Sequence, residues 1–259
     1  MVLGFAAATV GGLVAEGAEA KATPRAGSFP LPFYGGFASA IRPDLVGPSC
    51  AASSVHWWGD RTSRRIALTF DDGPHPTWTP ALLEVLAAED IRATFFVKGV
   101  AVMANPRVHQ HSVGHHEIGN HTWDHPDLAR LDHDAVVSQI RLCSEAVQDV
   151  LGVTPRVFRP PYGHLGGSAV LAAGEARLPM VLWSAQARES LFLQHPDGVV
   201  ADLVDQVSGG SIILAHDAGK PSRLIALDRM RTIVRQLKDA GHEFVTVSEA
   251  LTGSPQGAS

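Results

Sequence analysis

From Arg64 to Leu251, short apolar, β-rich runs alternate with longer segments of helical period, and this alternation limits the fold more than any other feature. The strand candidates are Ile66–Phe70, Ala93–Val97, Glu117–Asn120, Val157–Arg159, Met180–Trp183, Ser211–Ala215 and Glu243–Val247. Helical segments fall between several of them, including Pro80–Glu89, His133–Leu151, Val199–Val207 and Ser222–Ala240, the last stopped by Gly241. Strand, helix, strand repetition predicts parallel strands joined by crossover helices. Ile212-Ile213-Leu214 is apolar throughout, as expected of a strand covered on both faces. No Rossmann glycine fingerprint or phosphate loop follows the first strand. Periodicity leaves open whether the sheet is doubly wound or closes towards a barrel.

The reactive residues cluster by position. Asp71 and Asp72 follow the first strand, His121 and His125 the third, Arg159 ends the fourth with Tyr162 just beyond, and His216 follows the sixth. In a parallel α/β fold the C-terminal strand ends open on one face, so residues far apart in sequence meet there. Adjacent carboxylates at Asp71 and Asp72 repel unless a cation or a donor separates them, and a metal on one leaves the other free as a base. The competing reading is a turn, since Gly73 and Pro74 follow. His121 and His125, at i and i+4, share a face on one helical turn, so both imidazoles can reach one ion. With a carboxylate they make a three-ligand set with open positions, suited to a catalytic metal. Coincidence competes, because thirteen His are present and His111 and His115 repeat the spacing. That pair precedes its strand and so lies at the wrong end. Arg159-Pro160-Pro161-Tyr162-Gly163 is a stiff turn that can aim a backbone N–H, with Asp71 as the natural partner for Arg159. The alternative is a proline-rich loop with a surface Arg. His216 suits proton transfer near neutral pH, although a lone strand-end His often serves only as a hydrogen-bond partner.

Together the segments TFDDGPHP, GHHEIGNHTWDHPDL, FRPPYG and SIILAHD resemble, in order and spacing, the motifs of the polysaccharide deacetylase family with the NodB homology domain, carbohydrate esterase family 4. The resemblance runs from about Arg64 to Leu251. It implies a distorted, incomplete (β/α) barrel of about seven parallel strands. It also implies a metal-dependent hydrolase removing N-acetyl groups from peptidoglycan or chitin-type glycans. In that family Asp71 is the general base, and Asp72, His121 and His125 hold a divalent ion, zinc or cobalt. Arg159 orients Asp71, Tyr162 offers its backbone N–H to the oxyanion, and His216 is the acid. One stretch departs from the pattern. After Trp183, Gln186 and Glu189 stand roughly where aspartates are expected and Ser190 where a groove-wall Trp is expected. Glu189 has the charge to support His216, whereas Gln186 has none. A non-catalytic carbohydrate-binding protein on the same fold, or a deacylase of another ester or amide, therefore stands as the alternative.

Residues 64–252 form the expected NodB-type domain. Residues 1–20 read as an apolar leader: Val2 to Val14 is apolar, too short to span a bilayer, and precedes an A-x-A site at Ala18-Glu19-Ala20. This predicts a secreted or cell-envelope location without stable membrane insertion after processing. Residues 21–63, rich in Pro, Gly, Ser and Ala, form an arm whose aromatics are candidates to dock on the domain, and 253–259 a tail. A net charge of -5 gives no basic footprint for nucleic acid. Cys50 and Cys143 leave a disulfide open.

Overall fold

The computed structural model describes residues 53–110 and 113–252. The leader 1–20, the arm as far as residue 52 with Cys50, His111 and the tail 253–259 lie outside them. In chain order the elements are β1 (Val55–His56), β2 (Arg65–Asp71), α1 (Trp78–Ala88), β3 (Thr94–Val97), α2 (Gly99–Ala104), β4 (Glu117–Asn120), α3 (His133–Leu151), α4 (Gly167–Glu175), β5 (Met180–Val181), β6 (Ala185–Gln186), α5 (Gly198–Gln206), β7 (Ile212–His216), α6 (Leu224–Leu227), α7 (Met230–Asp239), β8 (Glu243–Val245) and α8 (Val247–Thr252).

Every ladder between these strands is parallel. The main sheet runs β4-β3-β2-β7-β6, with β8 joining β2 at its start. Beyond β4, single bridges link Asn120 to Phe158 and Phe158 to Met180, and β5 pairs with β1. The chain from Met180 to Gln186 thus touches both ends of the arc, but its ladder is broken between β5 and β6. The sheet is an incomplete, open barrel of parallel strands. The strand expected over Val157–Arg159 is reduced to the bridge at Phe158, since the two prolines after Arg159 lack the N–H groups that would extend it. The strand expected over Met180–Trp183 ends at Val181, and β6 follows it as a separate short strand.

Burial explains why β2 is central. From Ile66 to Asp71 every residue is buried, and Phe70 stacks on Phe95 of β3 at 5.2 Å between ring centroids. α3 matches its sequence signals at both ends. The Asp132 side chain accepts the Ala135 N–H at 2.8 Å, and Gly152 closes the helix at φ 71. The helix expected over Ser222–Ala240 is instead α6 and α7, interrupted at Arg229 (φ -107, ψ 1), whose guanidinium reaches Asp197. The Val55–His56 strand, the Trp58 bridge to Ser211 and the packing of Trp57 tie residues 55–58 to the domain. Cys143 is a buried free thiol on α3, its Sγ 3.3 Å from the Val97 carbonyl oxygen. No helix among the described residues is long and apolar enough to cross a membrane.

Truncating Phe70 to Ala removes a fully buried ring from the central strand. We expect a loss of about 3–5 kcal/mol in denaturant unfolding; a loss below about 1 kcal/mol would show that β2 is not the packed centre of the sheet.

Candidate active site

The register of β2 sets the geometry of the site. Asp71, its last residue, pairs across the ladders with Phe96 of β3 and His216 of β7, so the carboxylate and the imidazole stand side by side at the strand ends. Arg159 reaches the same level from beyond β4. Its Nη1 donates to Asp71 Oδ1 and to Thr69 Oγ1, each at 2.7 Å, while Nε and Nη2 donate to the Val181 and Leu182 carbonyls at 3.0 Å. The guanidinium is fully buried and lies 4.1 Å from the Phe96 ring centroid. Breaking such a buried pair by removing one partner costs about 3–5 kcal/mol, because the other charge is stranded.

The metal-ligand candidates converge beside this pair. His125 Nε2 lies 3.3 Å from Asp72 Oδ1, and His121 Nε2 lies 3.9 Å from Asp72 Oδ1 and 3.7 Å from Asp71 Oδ2. Among the described residues, Asp72, His121 and His125 are the one group of three whose ligand atoms all fall within 4.8 Å of one another. His121 Nδ1 donates to the Arg159 carbonyl at 2.7 Å, which leaves Nε2 as an acceptor facing the group. Asp72 Oδ1 is buried with no hydrogen-bond partner. A buried anionic oxygen without a donor, beside two imidazole nitrogens, fits a divalent cation.

The route by which the two His converge differs from the sequence expectation. Residues 121–125 are not a helical turn. Thr122 (φ 69) and His125 (φ 68) are both left-handed, and hydrogen bonds to neighbouring side chains hold the loop. Asn120 accepts the Thr122 N–H at 2.8 Å and is itself anchored to Ile140 and Ser144 of α3. Gln139 accepts the Trp123 and Asp124 N–H groups, and Thr122 Oγ1 accepts that of His125. Side chains that satisfy the backbone locally displace the helical hydrogen bonds. Asp72 (φ 76) and Tyr162 (φ 60) are also left-handed, and the Tyr162 ring packs edge-on to His125 at 4.6 Å.

Electrostatics suit a cation. Burial raises the Asp72 pKa, but the positive charge offered by His121, His125, Arg223 and Lys98 outweighs it and holds the carboxyl at about 2. Burial lowers the pKa of His121 and takes His125 to about 4, with the His121 charge adding to the shift, and this favours the neutral imidazole that a metal ligand requires. On the other side of the site, His216 Nδ1 lies 3.7 Å from Glu189 Oε1. Gln186 instead accepts the Trp183 indole N–H at 2.8 Å. A cleft of about 300 Å³ opens against His216, walled by Gln186, Arg188, Ser190, Leu191 and Leu214, with no Trp, Tyr or Phe in its lining. A larger cavity, of about 560 Å³, lies at the opposite end of the strands near His116 and Glu117 and touches none of these residues.

The polysaccharide deacetylase family model matches residues 59–181. A peptidoglycan N-acetylglucosamine deacetylase of Bacillus cereus is 35% identical over 199 residues, which span 76% of this chain and 92% of that protein. The chain belongs to the polysaccharide deacetylase family. A peptidoglycan N-acetylglucosamine deacetylase of Listeria monocytogenes is 36% identical over 190 residues, but this chain spans only 39% of that relative's length. The crystal structure of the Bc1960 peptidoglycan N-acetylglucosamine deacetylase superposes with a TM-score of 0.73 at 30% identity, covering 77% of this chain and 94% of that one.

Three residues of the site escaped the sequence reading: Arg223, Lys98 and Asp217. Arg223 Nη1 lies 2.5 Å from Asp72 Oδ2, and Lys98 Nζ lies 3.8 Å from Asp72 Oδ1. Neither carries a motif. Asp217 adjoins His216 in the quoted SIILAHD segment and is fully buried; it accepts the Thr79 hydroxyl at 2.5 Å. It packs against Gly73, where any Cβ would collide with the Asp217 carboxylate, so the glycine after the two aspartates is sterically required. Burial pushes the Asp217 pKa to about 7, and the Asp72 and Asp71 charges add to the rise. Between its ordinary value near 3.8 and about 7, the folded protein keeps a proton that the unfolded chain has lost. Asp217 therefore costs stability as pH rises through that window. In chelator-treated protein, Asp217→Asn should gain in melting temperature relative to wild type between pH 5 and pH 8. A difference that stays flat with pH would refute the assignment.

Proposed function

We propose that this chain is a metal-dependent carbohydrate deacetylase. It hydrolyses the acetamide of an N-acetylated glycan, peptidoglycan or a chitin-type chain, to acetate and a free amino sugar. The observation that carries this reading is the meeting of Asp72 with His121 and His125 beside the Asp71–Arg159 pair. Family membership and the peptidoglycan deacetylases among the relatives support the substrate class. Action on a wall glycan in turn supports a location outside the cytoplasm.

Asp72, His121 and His125 would hold the ion, zinc or cobalt. When bound, the divalent ion supplies Lewis acidity that polarises the acetamide carbonyl and acidifies water. Asp71 is the general base. Arg159 occupies its Oδ1, which leaves Oδ2 facing the cluster to take the proton of the attacking water as the new C–O bond forms. The backbone N–H of Tyr162, turned by the left-handed conformation of that residue, is the donor for the carbonyl oxygen as charge builds on it. As the C–N bond breaks, His216 protonates the departing amine, with Glu189 Oε1 positioned behind its other nitrogen. The cleft beside His216 offers aliphatic and polar walls rather than a stacking ring, so sugar contacts there rest on hydrogen bonds and on Leu191.

The test is acetate release from peptidoglycan and N-acetylated oligosaccharides. We expect release to stop on chelation and to return with zinc or cobalt. Asp71→Asn should retain the metal and lose about 10²–10⁴-fold in kcat. Full activity in metal-free protein, or in Asp71→Asn, would overturn the proposal.

A further inference from the structure

The Asp72 carboxylate has two oxygens with different environments. Oδ1 faces His121 and His125 and is buried without a hydrogen bond. Oδ2 is occupied by the Arg223 guanidinium, which arrives from a turn 151 residues further along the chain. We propose that Arg223 is a positioning residue for the metal centre: by holding Asp72 Oδ2 it keeps Oδ1 aimed at the ion. The inference rests on reading Asp72 as a ligand, and it adds a part for a residue outside every motif named above.

Three observations show that the guanidinium is held in place. The same Nη1 that donates to Asp72 donates to the Ala218 carbonyl at 2.6 Å, so its position is fixed from two sides. The turn that carries Ala218 follows β7 directly and wraps the guanidinium closely. At Gly219, φ is 106 and a Cβ would collide with Nη1, so a side chain at residue 219 would strain the turn and push the guanidinium from its place. Lys98 is the competing cation, its Nζ 3.8 Å from Oδ1. Without Arg223, the carboxylate is free to rotate, and the Lys98 ammonium is left as the lysine or arginine cation positioned to capture it in place of the metal.

Arg223 acts on metal affinity in two opposite directions. Its positive charge repels the ion, whereas its orientation of the ligand favours the ion. The geometry points to orientation as the larger effect, since the guanidinium lies on the far oxygen and leaves the near one free. Partners of this kind typically govern about 10–100-fold in metal affinity.

The experiment measures zinc binding to chelator-treated full-length protein by competition with a chromogenic chelator, and the visible spectrum of the cobalt form. Arg223→Ala should bind zinc about 10–100-fold more weakly and show an altered cobalt spectrum. Arg223→Lys should recover part of the loss. Gly219→Ala, which keeps Arg223 but displaces its guanidinium, should weaken binding in the same direction. Melting curves without metal establish that each variant is folded; should Arg223→Ala fail that check, the other two variants decide. Affinity within twofold of wild type, or tighter, overturns the positioning role while leaving the enzymatic reading intact. Absence of zinc binding by the wild type would sink both.

Discussion

The buried guanidinium of Arg159 is the interaction on which the site depends. A fully desolvated positive charge is tolerable only when its donors are met by acceptors, and here they are met by Asp71, Thr69, Val181 and Leu182. Those four acceptors belong to β2 and to the segment that begins as β5, on either side of the break in the sheet. The backbone of Arg159 adds two more ties: its N–H donates to Asn120 at 2.9 Å, and its carbonyl receives His121 Nδ1. One residue thus holds the Asp71 carboxylate, sets the tautomer of His121 and bridges the arc where the barrel is incomplete. The prolines that follow it remove the ladder and leave the loop to Tyr162 free to turn over His125.

Much of the fold was legible because burial and period agree. β2, β3 and β7 are strands whose apolar runs are covered on both faces, and α3 carries a cap at each end. The weaker strands were misjudged for a stated reason. Near Phe158 and Met180 the apolar pattern continues, but prolines and the broken ladder limit pairing to one or two residues. At the site, the rule that parallel strands deliver their C-terminal ends to one face was enough to bring Asp71, Asp72, His121, His125, Arg159 and His216 together. His121 and His125 do converge beside Asp72, but not through the helical turn that their spacing suggests. A left-handed loop pinned by Asn120 and Gln139, not a helix, joins them. Arg223 was invisible because its role depends on a turn conformation, and turns leave little periodic trace.

The stretch after Trp183 has a rationale in this arrangement. Gln186 is committed to the Trp183 indole, and its backbone N–H is held by Gln206, so it contributes to the strand edge and not to His216. Glu189, one turn on, brings a carboxylate within 3.7 Å of His216. In this chain the carboxylate beside the imidazole is therefore that of Glu189, while Gln186 faces away to the indole. Ser190 and Leu191 leave the cleft wall without an aromatic plate.

Asp72, Thr122, His125 and Tyr162 share a backbone twist that side-chain-bearing residues avoid, at roughly 1–2 kcal/mol each. A designer seeking heat tolerance would see four easy gains, since glycine relaxes such positions. At Asp72 and His125 the gain would erase the very groups that converge on the site, at Tyr162 it would remove the ring that packs on His125, and at Thr122 it would delete the hydroxyl that fixes His125. This face of the barrel is therefore closed to that route of thermal engineering, whereas Asp90 and Arg177, left-handed as well, stand outside the group that converges there.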